Sequence, residues 1–411
     1  MMDFLVTTKL PRRTVLRSVA GALALPGIVR RARAQAQRSV KVGVLTDMSG
    51  IYSINAGPGS VTAVSMAVED VGDTGVGPVQ VLSADHQNKP DIALTIARQW
   101  FDVDGVDCIV DVPNSAVALA VMGLARERRK IVLVSGAASS EIVNAACMPT
   151  AFQWTFNTVD WANTMAAALV SRGGTSWFFI TPDYTFGLAT ERDITAKVVS
   201  LGGTVAGSAR YPLGAPDFAQ YLLQAQASKA KVLALGSAGP DMINVVKQAK
   251  EFGLMGSGLF ITGLLQPTDI QAIGLDTANG ILLPTAFDPN RDAASMAWTN
   301  RFAALRKALP AMTHAGTYSA ARHYIQAVKD SGSTDTDTVA ARMRATPVRD
   351  AFATNGSLRP DGLMAHDWYL QQVKSPADSK GPNDLVTTVA TVSAADADPP
   401  LADSKCPLVK R

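Results

Sequence analysis

The strongest constraint on this chain is a rhythm. Short runs rich in β-branched residues alternate with stretches whose apolar residues recur at helical spacing. Residues 40–45 (Val-Lys-Val-Gly-Val-Leu) read as a strand, and the segment after them sets Val61, Val64, Ala67, Val68 and Val71 on one helical face. Residues 78–84 read as a second strand. Pro90 and Asp91 then open a helix in which Ile92, Ile96 and Trp100 recur every four residues. Strands over 108–112 and 131–134 flank a helix reaching Ala125. A β-α-β-α series of this kind calls for a parallel sheet covered on both faces.

The rhythm restarts after Asn157. A helix begins near Trp161, and strands are expected over 177–180, 205–211 and 231–235. Helices over 190–201, 218–227 and 241–252 alternate with them, followed by strands at 259–261 and 280–283. The later helices, 293–309 and 317–331, bring no new sheet and most economically complete the first unit. The strand over 365–373 then needs an edge in the second. The chain has 411 residues, 47% of them hydrophobic and 18% charged, more than a single core usually organises. The expected fold is therefore α/β, two Rossmann-like lobes with parallel sheets, joined by several strands that make a hinge. Lobe 1 is read as 38–157 plus 288–355, lobe 2 as 158–284 plus 361–374, and 375–411 as a C-terminal tail.

The first 34 residues have a different character. Arg12 and Arg13 precede an uncharged stretch from Ser18 to Val29, and the small-residue pattern Ala32-Arg33-Ala34 or the overlapping Ala34-Gln35-Ala36 follows. That order reads as a twin-arginine-type signal peptide over 1–34, which places the mature protein in the periplasm. The stretch is too short to span a bilayer core of about 30 Å. Lys9, Arg12, Arg13, Arg17, Arg30, Arg31 and Arg33 stand here against one acid, Asp3, so the formal charge of +3 turns mildly negative without them. A mildly acidic body argues against nucleic acid as a partner.

Catalytic and cofactor motifs find little support. Gly57-Pro58-Gly59 lies between a strand and a helix, but too far from the strand for the tight turn that cradles a pyrophosphate. Asp102, Asp104, Gly105 and Asp107 imitate the start of a calcium loop whose twelfth position is Pro113, which offers no carboxylate. His86 beside Asp85 has no accompanying nucleophile motif. No cofactor, no metal site and no enzymatic activity are expected. Cys108 falls in a core strand, whereas Cys147 and Cys406 lie beside turns and are either a disulfide or both free.

Several segments together carry a resemblance. They are residues 42–50 (Val-Gly-Val-Leu-Thr-Asp-Met-Ser-Gly), 83–91 around Asp85-His86-Gln87-Asn88, 134–138 (Val-Ser-Gly-Ala-Ala), 183–187 (Asp-Tyr-Thr-Phe-Gly) and the ending Cys406-Pro407-Leu408. In this order the chain resembles the periplasmic solute-binding proteins of ABC importers, of the branched-chain amino-acid-binding (Leu/Ile/Val-binding) type. The resemblance implies a type I periplasmic binding fold that closes on a small-molecule solute and presents it to ABC permease subunits, as a monomer. A ligand sensor on the same fold is the alternative, and an exported α/β enzyme the less supported one.

The resemblance also locates contact loops. Asn114 and Ser115 stand where family members hold a ligand carboxylate with a hydroxyl and a backbone amide, and Ala137 and Ala138 where they offer backbone groups. Tyr184 and Phe186 stand where aromatic residues of the second lobe close over the ligand, Ser237 and Ala238 follow the next strand, and Tyr52 is a candidate aromatic wall. Amino-acid-binding members place an acid after the strand that here reads Phe260-Ile261-Thr262-Gly263, to pair with the ligand's ammonium. This chain has Leu264, Leu265 and Gln266 there. Burying an ammonium without a counter-charge is costly, so the expected solute is a carboxylate lacking an amine, such as an aromatic or aliphatic acid, unless Asp183 or Asp241 supplies the charge.

Overall fold

The computed structural model describes residues 39–410, and their strands divide between two large sheets and one small ribbon. The signal peptide read over 1–34 lies outside the described residues. The first sheet holds β1 (Val40–Thr46), β2 (Val79–Asp85), β3 (Cys108–Asp111), β4 (Ile131–Val134) and β5 (Ala151–Gln153), in the order β2-β1-β3-β4-β5. All its pairings are parallel. Helices α1 (Gly57–Val71), α2 (Pro90–Gln99) and α3 (Ser115–Arg128) make its crossovers. Strands β3 and β4 are buried along their whole length, as strands covered on both faces must be.

The second sheet is built from α4 (Thr158–Ser171), β6 (Ser176–Pro182), α5 (Thr185–Ser200), β7 (Thr204–Tyr211), α6 (Ala219–Ser228), β8 (Val232–Leu235), α7 (Pro240–Glu251), β9 (Phe260–Gly263), α8 (Pro267–Ile273), α9 (Leu275–Ala278) and β10 (Leu282–Thr285). Strands β6 to β10 pair in parallel. The chain then returns to the first sheet with α10 (Ala293–Arg306), α11 (Met312–Ser331) and α12 (Thr336–Ala345). On α11, the Tyr318 hydroxyl donates to Asp70 at 2.7 Å, and on α10 Arg301 pairs with Asp70 at 2.6 Å and Glu69 at 2.7 Å, both at the end of α1. A short ribbon, β11 (Ser357–Leu358) with β12 (Met364–Ala365), precedes β13 (Trp368–Val373), which adds to β10 antiparallel; β14 (Val386–Val392) adds to β13. The result is an α/β fold of two lobes, crossed by the chain after β5, after β10 and before β13.

Gly57-Pro58-Gly59 has a packing role. A Cβ on Gly59 would come within 2.2 Å of His314 Nε2, so α1 and α11 approach more closely than any side chain allows. Burial pushes His314 down to about 4, which keeps the ring neutral in that contact. The calcium-like run is likewise structural: Asp102 pairs with Arg128 at 2.8 Å, and Asp107 accepts from the Lys41 amide at 2.9 Å.

Several elements differ from the sequence reading. Strand β14 lies inside the segment read as a tail. Its Thr387-Thr388-Val389-Ala390-Thr391 is exposed on both faces and has no apolar alternation to betray it. Helix α5 begins at Thr185 rather than Thr190 because Gly187, which looks like a breaker, sits over the Pro182 carbonyl; a Cβ there would come within 1.9 Å of that oxygen. Strand β5, with three residues, and helix α8, with seven, fall below the length at which periodicity speaks clearly, and the ten-residue α12 buries only Val339, Ala340 and Met343. Cys147 and Cys406 form a disulfide with Cα atoms 5.6 Å apart, and the Lys405 amide donates to Asn144 beside it at 2.6 Å. Cys108 is a free, buried thiol.

Candidate functional site

Parallel strands deliver their following loops to one edge of the sheet, and in both lobes that edge faces the gap between them. At the end of β3, Asp111 (φ 84°) and Val112 (φ 52°) lie in the left-handed region that side chains other than glycine rarely adopt, Val least of all. This turn brings Pro113 and Asn114 round to the start of α3. Asn114 caps that helix, accepting from the amides of Ala116 at 3.0 Å and Val117 at 3.2 Å. Ser115 opens the helix, and its hydroxyl accepts from the Ser139 amide at 3.2 Å. The loop after β4 packs against this turn at Gly136, where a Cβ would come within 2.7 Å of both Asp111 Oδ1 and Pro113 Cα.

The loop after β1 is organised by buried Asp47. Its carboxylate accepts from the amides of Gly50 at 2.7 Å and Tyr52 at 2.9 Å, and from Asn88 Nδ2 at 2.5 Å. That clamp holds Tyr52 so that its hydroxyl hydrogen-bonds the hydroxyl of Tyr184, which stands at the N-cap of α5 in the other lobe. Burial raises both phenols, Tyr52 well above its ordinary value, so both stay protonated. A second close approach joins the lobes: Gly239 (φ +56°) leaves room for the Ile51 carbonyl, which a Cβ would meet at 2.4 Å.

The cleft is lined by Tyr52, Ser115, Ala138, Tyr184, Phe186, Ala238 and Leu264, all named from the sequence. Asn114, Ala137 and Ser237 do not line it. Asn114 is occupied in capping, the Ala137 carbonyl accepts from Gln153 Nε2 at 3.0 Å, and Ser237 accepts from the Tyr211 hydroxyl at 2.8 Å. Sequence reasoning missed Asn55, Ala56, Pro113, Gly136, Phe156, Gln266, Met312 and Thr313, which complete the wall. One signal was available for part of this. Asn157 and Asp160 form a capping box that starts α4 at Thr158, which leaves Phe156 in the segment that crosses between the lobes after β5.

The electrostatic character of the cleft follows from which ends of helices reach it. Ala56 is the N-cap of α1, Ser115 begins α3, Tyr184 caps α5, Ala238 precedes the Gly239 cap of α7, Gln266 caps α8 and Met312 begins α11. Each helix start carries the positive end of a helix dipole and backbone N–H groups without helical partners. Among the described residues, those lining the cleft carry no formal charge. Carboxyls stand behind the wall, and burial raises them: Asp111 to about 6, Asp241 to about 6 and Asp269 to about 7. Asp241 accepts from the Gly214 amide at 3.0 Å and does not line the cleft, and Asp183 is exposed. The site is thus an uncharged, partly aromatic enclosure with a positive dipolar bias, suited to receiving an anion.

A hinged α/β pair of lobes with such a cleft defines a solute-binding architecture. Residues 39–382 match the periplasmic binding protein family, and the chain belongs to that family. The family places the chain in the periplasm. Two solved structures resemble it closely. A periplasmic binding protein from Burkholderia mallei shares 40% identity over 91% of this chain and 100% of its own, with a TM-score of 0.88. A branched chain amino acid ABC transporter periplasmic ligand-binding protein from Burkholderia xenovorans LB400 shares 39% identity over 90% of this chain and 100% of its own, with a TM-score of 0.81. At 21% identity, a solute binding protein of an ABC transporter from Rhodopseudomonas palustris BisB5, solved with 3,4-dihydroxy benzoic acid, shares the fold over 87% of this chain and 98% of its own, with a TM-score of 0.79. No curated protein matches the chain. Among the described residues no helix is long and apolar enough to cross a membrane, and no group of three His, Cys, Asp or Glu side chains suits a metal ion.

Proposed function

We propose that this protein is the solute receptor of an ABC importer and that its solute is a carboxylate lacking an amine, with aromatic acids favoured over aliphatic ones. The observation that carries this reading is the convergence of helix N-termini on a cleft whose lining has no carboxylate. A carboxylate gains from those dipoles and from the Ser115 hydroxyl. The ammonium of an amino acid would lie against Leu264 with no counter-charge. Tyr52, Phe156, Tyr184 and Phe186 offer faces and edges to a ring. The Rhodopseudomonas neighbour, with its dihydroxybenzoate, illustrates that the same fold accommodates an aromatic acid. Closure then follows from contacts that the solute makes with both lobes at once.

In the arrangement described, the cleft encloses about 50 Å³. An apolar cavity of about 150 Å³ is known to hold benzene, so the Tyr52–Tyr184 contact must part for a ring to enter. Three crossings act as the hinge for that motion, and Ser115, Ala138 and Tyr184 are assigned to ligand contact on this reading. We read the route of export as twin-arginine from Arg12-Arg13 and the segment after them, and on that reading blocking twin-arginine export should retain the precursor in the cytoplasm.

A thermal-shift series with benzoate, 4-hydroxybenzoate, hexanoate and leucine tests the solute class. The aromatic acids should raise the melting temperature most. A larger shift with leucine would overturn the choice of solute and leave the receptor reading standing.

A further inference from the structure

Behind the cleft lies a second enclosure of about 150 Å³, walled by α8 and β10 of lobe 2 and by α10 and the segment before α11 of lobe 1. Gln266 and Met312 form the partition between the two spaces: each lines both, and the Met312 amide donates to Gln266 Oε1 at 2.9 Å. The geometry points to a second small-molecule site at the hinge, for an uncharged molecule with a benzene-sized apolar body and one hydrogen-bonding group.

Size is the first argument, because an apolar cavity of this volume is large enough for benzene. The wall is the second: Leu283, Phe287, Leu309 and Leu385 supply apolar surface. Its one charged residue, Asp384, is already paired with Lys374 at 2.6 Å, so nothing on the wall calls for a charged guest. The third is Thr299, which lines the cavity, is 7% exposed, and has a hydroxyl with no hydrogen-bond partner. Such a group is costly to leave unmatched and gains from a guest that can bond to it. Met296, 47% exposed, marks where the enclosure opens to solvent. Because the walls come from both lobes, occupancy must change when the lobes move, and the two sites are linked through the partition.

Benzyl alcohol serves as the probe, followed by ligand-observed NMR on the full mature protein. Wild type should bind it saturably, with a dissociation constant on the order of millimolar. Ala138→Trp, which blocks the cleft, should leave that binding intact. Met296→Trp and Leu309→Trp, which fill the hinge enclosure from two sides, should each abolish it, and circular dichroism identifies either variant that fails to fold so that the other decides. Thr299→Val should weaken benzyl alcohol about threefold to tenfold while leaving toluene unchanged. Absence of saturable binding to wild type, or binding lost in Ala138→Trp and kept in the tryptophan-filled hinge variants, would overturn the site.

Discussion

The lobe 1 loops after β3 and β4 meet the cleft with backbone and a hydroxyl, Ser115 at the start of α3, the bare Gly136 turn packed on Pro113, and Ala138, while Tyr52 and Phe156 add rings from the same lobe. Lobe 2 meets it with rings and aliphatic carbon, Tyr184, Phe186 and Leu264. The difference has a structural origin. In lobe 1, the loops after β3 and β4 pack so closely that a Cβ at Gly136 would strike Asp111, leaving main chain as the surface. In lobe 2, Gly187 lets α5 settle onto the Pro182 carbonyl, so the first turn projects its aromatic side chains into the gap. The loops after β3 and β4 of lobe 1 are equipped to receive the charged end of a solute, and lobe 2, with Tyr52 and Phe156 opposite, to cover its body.

The largest test puts the wrong material into lobe 2. Leu264→Asp places a carboxylate where the wall is 3% exposed and apolar. An unpaired buried charge costs about 3 kcal/mol or more, so benzoate should bind at least roughly 100-fold more weakly by calorimetry. Leucine, whose ammonium then has a partner, should gain. Unchanged benzoate affinity would mean that Leu264 does not face the solute.

Removing the hydroxyl from lobe 1 should do somewhat less. Ser115→Ala deletes one hydrogen bond to an ionised group, worth about 1.5–3 kcal/mol, or roughly tenfold to 100-fold in affinity. Tyr184→Ala on the opposite wall removes ring contact worth about 1 kcal/mol beyond its area, for a loss of at least several-fold with the fold intact by circular dichroism. A smaller loss at Ser115 than at Tyr184 would reverse the assignment of charge recognition to lobe 1.

What the sequence made legible in this division is uneven, for physical reasons. The loops after β3, β4, β8 and β9 follow directly from strands legible as short apolar runs, and the family resemblance then pointed to Ser115, Ala138, Ala238 and Leu264 within them. Met312 and Thr313 were not, because they reach the cleft only when α11 folds back onto α1, and no local pattern encodes a contact of that separation. Asn114 and Ser115 are neighbours with the same polar character, yet one caps a helix and the other faces the gap. Only the left-handed turn at Asp111 and Val112 decides between them. Strand β14 escaped for the opposite reason, since an exposed edge has no buried face to impose alternation.

The smallest effect concerns the acids behind the walls rather than the walls themselves. Asp269 in lobe 2 is fully buried, accepts from the Gln266 amide at 2.9 Å, and is raised by burial from 3.8 to about 7. Between about pH 4 and about pH 7 the folded protein therefore holds a proton on this carboxyl that the unfolded chain has released. Its contribution to stability is complete at the acid end of that window and disappears as the pH rises through about 7. Asp241 in lobe 2 and Asp111 in lobe 1, both near 6, act in the same direction over a narrower range. Asp269→Asn keeps the acceptor for the Gln266 amide but cannot ionise. The urea midpoint of the wild type should decline from about pH 6 to about pH 7 more steeply than that of the variant, with solute affinity nearly unchanged. Equal slopes would assign the decline to Asp111 and Asp241, and so would divide the pH response between the lobes instead of concentrating it beneath the apolar wall.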